Sequence, residues 1–431
     1  MYALLILTST VITFICSKWI GNQENSDLGG AKKKWILATS LIINFGILFV
    51  FKYFNFVNES VFSVLDSFGL RWQVPNLDIL LPVGISFYTF QAVGYTIDVY
   101  RGELKAEKDF FTYALFVSFF PQLVAGPIER AKNLLPQFHE HHTFSYDSTV
   151  SGLKLMLWGY FMKLCVADRL ANYVDAVYNN LPHHNGESVL LATIFFAFQI
   201  YCDFGGYSLI AIGAAKVMGF RLMTNFRRPY FSLSPKEFWK RWHISLSSWF
   251  MDYVYIPLGG NRVKYWRHLT NLMITFWVSG LWHGANWTFV LWGATHGLYL
   301  VIENVLTRLF GKHEYKSLLI RLPKMLLCFV LVCFAWIFFR ANTASDAFLA
   351  IGKIFTEDGP LFVKGGGTVL TMGCMSLFVL LLKDALDESK LQLRFVNSQY
   401  KFVSYVSVIL LICYIMLFGC LSGGQFIYFQ F

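Results

Sequence analysis

The chain has 431 residues, of which 56% are hydrophobic and only 14% charged, with a mean hydropathy of +0.49 and a formal charge of +10. A soluble domain carries about 25% charged residues, and the apolar residues here are gathered in long runs, so composition excludes an ordinary soluble enzyme. On a soluble protein the basic balance would raise nucleic acid as a partner; here it has a topological reading, Lys and Arg collecting in cytoplasmic loops, and no nucleic-acid partner is expected.

Apolar runs long enough to cross a bilayer as helices occupy roughly residues 2–20, 35–57, 78–98, 110–127, 151–178, 188–218, 268–284, 286–304, 322–340, 366–383 and 402–422. This pattern predicts an all-α, multi-pass membrane protein with about ten or eleven spans, forming one integral-membrane domain over 1–431. The 44 Phe suit lipid-facing surface, and the eight Cys have no CxxC pair and read as small buried or lipid-facing hydrophobes. The first apolar run lacks a basic leader and a small-residue cleavage site, so it is read as a retained helix. No internal repeat is evident, which disfavours an inverted-repeat transporter.

The loops differ in kind. Lys32, Lys33 and Lys34 close an early loop, a hydrophilic stretch surrounds Arg101 to Asp109, and His139, His141 and His142 read as a solvated cluster. Residues 219–268 carry nine Lys or Arg against two acids, Glu237 and Asp252, which places this segment on the cytoplasmic side. Its many Trp, Tyr and Phe predict short amphipathic helices lying at the interface. A second role for this charge, attracting a polyphosphate thioester donor, is compatible with it.

Ionisable groups at membrane depth are costly and are functional candidates by default. His283 lies in Gly280-Leu-Trp-His-Gly-Ala-Asn-Trp287, where Gly280, Gly284 and Ala285 would let a substrate or helix approach the imidazole. A histidine there can take a proton from an attacking hydroxyl, or it can simply bridge helices. His243, in Phe238-Trp-Lys-Arg-Trp-His-Ile-Ser-Leu-Ser-Ser-Trp249, sits beside Lys240 and Arg241 near the cytoplasmic interface, with a structural role the ordinary alternative. Asp203 interrupts an apolar run and must find a partner or line a wet cavity, as an ion pair, a cap or a chemical group. His296 follows His283 by thirteen residues, which on one continuous helix separates their faces, and is read as packing. HExxH, GxSxG and Walker motifs are absent, and neither histidine has ligand-spaced neighbours, so no metal site is expected.

An ordered series of motifs now becomes recognisable. It comprises Leu80-Leu-Pro-Val-Gly-Ile-Ser-Phe-Tyr-Thr-Phe90, Ala125-Gly-Pro-Ile-Glu-Arg130, Asp203-Phe-Gly-Gly-Tyr-Ser208, Arg241-Trp-His-Ile-Ser-Leu-Ser247, Tyr255-Ile-Pro-Leu-Gly-Gly-Asn-Arg262 and Leu281-Trp-His-Gly-Ala-Asn-Trp-Thr-Phe-Val-Leu-Trp-Gly293. With these, the chain resembles the membrane-bound O-acyltransferases, and within them the bacterial alginate O-acetylation branch. The motif-bearing core covers about residues 45–300, and Gln425-Phe-Ile-Tyr-Phe-Gln-Phe431 looks like a family ending.

The resemblance implies a ring of helices around a thin centre, with two funnels meeting at a central tunnel. It implies that His283 is catalytic and that His243 is a second active-site histidine on the donor side. Two departures stand out. Relatives begin with one or two further helices, so this is either a short member or one whose start lies upstream. Relatives also often carry Arg where Met251 precedes Asp252, which weakens a donor-handling role for that position.

The implied reaction is transfer of an acyl group, most simply acetyl from acetyl-CoA, from the cytoplasmic side of a bacterial inner or plasma membrane, with no bound cofactor. His283 is expected to act as general base. In similar systems a separate SGNH-type acetyltransferase then places the group on a polysaccharide. The nearest rival is the D-alanyl branch, which takes its acyl group from a carrier protein for teichoic acid. The Tyr255–Arg262 motif looks more like the acetylation branch. A proton-coupled transporter using His283 as a relay, and a non-catalytic scaffold, are rivals from other classes.

Overall fold

The computed structural model describes residues 2–22, 29–70, 74–124, 126–311, 317–363, 367–389, 395–421 and 426. The described secondary structure is helical throughout. Among the described residues, seven helices are long and apolar enough to cross a bilayer: Ala3–Asn22, Gly30–Ser67, Tyr146–Tyr178, Gly186–Val217, Trp287–Phe310, Leu318–Arg340 and Lys401–Phe418. This is the all-α, multi-pass protein the sequence predicts.

The remaining predicted spans take other forms. The 78–98 run folds as a 16-residue helix, Ile85–Tyr100, entered through Gly84 at φ 76°. A Cβ at Gly84 would lie 2.7 Å from the Leu123 carbonyl oxygen. The 110–127 run breaks into Phe110–Ser118 and Phe120–Leu123 because Phe119 leaves the helical region (ψ 107°) and Pro121 opens the next turn. The 268–284 run becomes Tyr265–His283, 19 residues that include Arg267, His268, Asn271 and Thr275. The 366–383 run lies within Thr368–Glu388.

The chain divides into two compact units, Met1–Thr143 with Phe220–Leu222, and Phe144–Gly219 with Met223–Phe431. In the first unit, helices associate through small polar side chains, as expected where lipid supplies no hydrophobic drive between them. Ser9 Oγ donates to Asn44 Oδ1 at 2.5 Å, and Tyr113 donates to Thr13 Oγ1 at 2.8 Å. Gln91 Nε2 reaches the Phe116 carbonyl at 2.7 Å. His139 bonds Glu107 at 2.8 Å, while its side chain stays 54% exposed, in keeping with the solvated cluster read there.

In the second unit the organising element is Gly186–Val217, with 83% of its most apolar stretch buried. Asn185 caps its start, accepting from the Ser188 amide at 3.1 Å. Against it runs Tyr146–Tyr160, continued by a π-helical turn, Phe161–Ala167, and by Asp168–Tyr178. Two glycine pairs bring these backbones together: a Cβ at Gly152 would meet the Gly213 carbonyl oxygen at 2.7 Å, and one at Gly159 the Gly206 oxygen at 2.6 Å. Both pairs repeat at seven residues on each helix, so one glycine face meets another.

The π turn carries Lys163, whose ammonium lies 2.6 Å from Asp203 Oδ1 and 2.8 Å from Asp168 Oδ1. Asp203 is thus part of an ion pair, one of the readings the sequence left open. Of the eight cysteines, all unbridged, five are buried, two exposed and one intermediate. Ala125 and the ending Gln425–Phe431, apart from Phe426, lie outside the described residues. Phe426 packs on Tyr207 and Phe204 at centroid distances of 5.0 and 6.1 Å.

Candidate active site

The Trp-His-Gly motif is the turn of a helical hairpin. Tyr265–His283 ends on Trp282 and His283, residues 284–286 turn, and Asn286 caps Trp287–Phe310 by accepting from the Thr288 amide at 3.0 Å. Asn286 also donates to the Asn342 carbonyl at 3.0 Å. Asn286→Ala is therefore expected to cost about 1 kcal/mol from the cap alone, measured as a lower denaturation midpoint in detergent, with activity retained below that midpoint.

The hairpin closes tightly because Gly280 and Gly293 face each other. A Cβ on Gly280 would collide with the Phe289 carbonyl oxygen and lie 3.3 Å from the Gly293 Cα. His283, 3% exposed, is thereby pressed into an aromatic shell. Its ring lies 4.9 Å from Trp292, 5.0 Å from Trp282 and 5.3 Å from Phe339, all edge-on.

The second histidine arrives from the basic segment. That segment does fold as short helices, Pro235–Arg241 and Ile244–Phe250, followed by a π turn, Met251–Tyr255. Several of its aromatic residues are buried in the core, while Trp266 is 69% exposed. Phe238 and Trp242 are each 1% exposed, and Trp249 is 4% exposed. Trp242 stacks on Phe238 at 5.4 Å and meets Trp336 at 5.1 Å; Trp239 meets Trp292 at 5.7 Å. Their mutual packing buries more apolar area than a water-facing membrane surface offers. Part of the positive charge is neutralised in place, since Arg228 and Arg241 both bind Glu388, and Arg241 also binds Glu237.

His243 sits between the two short helices with φ 42° and ψ 55°, a left-handed conformation uncommon for a side-chain-bearing residue. It is fully buried, and its ring centroid is 6.4 Å from that of His283. Phe204, from Gly186–Val217, packs edge-on against it at 4.6 Å. Burial pushes the His243 imidazole down to about 3, so the ring is neutral at physiological pH. Its Nδ1 is 3.1 Å from Asn225 Oδ1. Asn225 was not singled out in the sequence, where one Asn in a basic loop 18 residues upstream carries no signal.

Strain at a buried, functional-type side chain marks a place the fold must over-determine. His296 instead accepts from Trp239 Nε1 at 3.3 Å through Nδ1 and lies among Trp292, Phe238 and Trp336, which agrees with packing. It is on the second helix of the hairpin, not on one continuous helix with His283.

A cavity of about 480 Å³ is lined by residues close to both histidines along the chain, though by neither imidazole. Its wall includes Ile244, next to His243, and Ser279, one turn before His283, with Lys236 and Lys240 also in the wall. Met251 lines it too. A polar corner is formed by Tyr255 and His268, 2.9 Å apart, with Asn304 3.4 Å from the other ring nitrogen. Two larger clefts, about 910 and 990 Å³, have neither Ile244 nor Ser279 in their walls.

Residues 102–344 match the model of the MBOAT, membrane-bound O-acyltransferase family. The chain belongs to this family. Among membrane-bound O-acyltransferases it is 41% identical over 324 residues to a protein of Azotobacter vinelandii named "Probable alginate O-acetylase AlgI", covering 75% of this chain and 63% of that one. It is 34% identical over 347 residues to the "Peptidoglycan O-acetyltransferase" of Helicobacter pylori, covering 73% and 63%. It is 31% identical over 245 residues to the "Teichoic acid D-alanyltransferase" of Streptococcus thermophilus, covering 52% and 57%. The chain thus spans under two thirds of the length of these membrane-bound O-acyltransferase relatives.

Proposed function

We propose that this chain transfers an acyl group, acetyl, from a thioester donor on the cytoplasmic side of a bacterial inner membrane for the O-acetylation of an extracytoplasmic polysaccharide. The observation that carries the reading is the meeting of His283 and His243, brought from separate motifs to a centroid distance of 6.4 Å, with Ile244 and Ser279, close to them along the chain, in the wall of the 480 Å³ cavity. Such a volume is within the usual range of ligand pockets, about 300–1,000 Å³.

His283 acts as general base on the acceptor nucleophile. The acceptor oxygen attacks the thioester carbonyl, its bond to the acyl carbon forms, the carbon–sulfur bond breaks, and the thiolate leaves to be protonated. The buried aromatic shell excludes water from this exchange. The donor, acetyl-CoA, enters by the cavity, where Lys236 and Lys240 supply positive charge for its phosphates. An SGNH-type acetyltransferase outside the membrane completes delivery to the polymer.

The higher identity to the acetylation proteins than to the D-alanyl protein, 41% and 34% against 31%, favours acetyl. The test is the O-acetyl content of each extracellular polymer in wild type, deletion and complemented cells. Loss of acetyl ester from one polymer, restored by the chain, is the expected result. Unchanged acetyl in every polymer, with D-alanyl ester lost instead, would replace this reading by transfer from a carrier protein.

A further inference from the structure

The loop that carries His243 is pinned at one point, and that point sets the proton on the ring. Two backbone bonds close the loop: the Arg227 amide donates to the Arg241 carbonyl at 2.9 Å, and the Ile244 amide to the Asn225 carbonyl at 2.9 Å. The Asn225 side chain, 1% exposed, fills the space between. Its Oδ1 receives the Ser245 amide at 3.3 Å, the Ser245 hydroxyl at 2.9 Å and His243 Nδ1 at 3.1 Å. Its Nδ2 donates to Ser208 Oγ at 3.2 Å, on Gly186–Val217.

The orientation of the amide follows from its partners. A backbone N–H only donates, so the atom facing the Ser245 amide is the oxygen. The Ser245 hydroxyl lies 3.4 Å from His243 Nδ1 but only 2.9 Å from Asn225 Oδ1, to which it donates; a carbonyl oxygen only accepts, so the 3.1 Å contact with Asn225 assigns a proton to Nδ1. The neutral ring then presents a bare Nε2, which has no hydrogen-bond partner among the described residues and is wholly buried.

We propose that Asn225 is the positioning residue for His243: by accepting from Nδ1–H it fixes the tautomer whose Nε2 lone pair serves the acyl-transfer site beside His283. This rests on the reading that the two histidines form that site. The carbonyl-to-imidazole bond does here what a carboxylate does in other histidine sites, where losing the orienting partner leaves the wrong tautomer populated.

The ring also faces Phe204, Phe226, Trp282 and His283, with the Ser245 hydroxyl 3.4 Å from Nδ1. A cavity on which Asn225 also borders carries Lys154, Arg227, Arg228, Lys383, Asp384 and Asp387. A carboxylate at position 225 keeps every acceptor contact and adds a charge that favours imidazolium.

The experiment follows transfer of label from radiolabelled acetyl-CoA to polymer in membrane vesicles holding the full chain at matched levels. Asn225→Ala is expected to lower kcat by about ten- to a hundred-fold with KM for acetyl-CoA unchanged. Asn225→Asp, nearly isosteric, is expected to recover most of that loss and to move the acid limb of the pH–rate profile upward by about one unit or more. The proposal is overturned if Asn225→Ala keeps the wild-type kcat, or if Asn225→Asp leaves the acid limb in place. Should Asn225→Ala not accumulate, the Asn225→Asp profile alone decides. His283→Ala runs beside them: full activity there overturns the reading of the site itself, whereas a dead His283→Ala with an unaffected Asn225→Ala overturns only the role of Asn225.

Discussion

Alanine at His283 is expected to reduce acyl transfer by about a hundred- to ten-thousand-fold, the usual contribution of a positioned general base. The donor route should survive, because the 480 Å³ cavity is lined by other residues, among them Trp239, Ser279 and Phe276. KM for the thioester should therefore change far less than kcat, the pattern of a group used in the transition state rather than in binding. His283→Ala also opens space among Trp282, Trp292 and Phe339, so lost packing is a second source of lost activity in that variant. His283→Gln separates the two causes: it retains much of the volume and hydrogen-bonding capacity and lacks a basic ring nitrogen. The same large loss in His283→Gln, at wild-type thermal stability in detergent, is the expected outcome. A His283→Gln protein with half the wild-type rate would remove His283 as the base. The same pair of substitutions at His243 is expected to cost less, since that ring is assigned the supporting role.

The membrane class and the two histidines were legible because both signals are local. Long apolar runs are counted along the chain, and His283 and His243 each sit inside a distinctive motif. The spans became less regular where the chain carries its own interruptions, as at Phe119–Pro121, or where a helix mixes Arg267, His268 and Asn271 into an apolar stretch. Asn225 was not legible, because its meaning depends on a loop closing 18 residues later through contacts that have no sequence period.

The basic segment was half legible. Its charge and short helices were readable, but the burial of Phe238, Trp242 and Trp249 was not, since interfacial and core aromatics have the same composition. The difference lies in partners such as Trp336, almost a hundred residues away in sequence. Asp203 was flagged, whereas Lys163 was passed over inside an apolar run, and only the π turn brings it to both carboxylates.

That ion cluster carries the second large prediction. Lys163→Met is expected to destabilise the protein by about 3–5 kcal/mol, the range for removing one partner of a buried pair. The loss is not merely that of two contacts. Asp168 and Asp203 would be left in a low-dielectric interior, 6% and 4% exposed at the side chain, with the ammonium that bridges them gone. The measurement is the denaturation midpoint in detergent micelles. A triple variant, Lys163→Met with Asp168→Asn and Asp203→Asn, should recover most of the loss, because neutral amides can satisfy one another without net charge. Equal stability of Lys163→Met and wild type would show that the cluster contributes little. A functional consequence follows from where Asp203 sits. Its neighbour Phe204 packs on the His243 ring, and Ser208, five residues on, receives Asn225. The cluster thus anchors the stretch of Gly186–Val217 that backs His243, and Lys163→Met should lose activity at a lower temperature than it loses helix content.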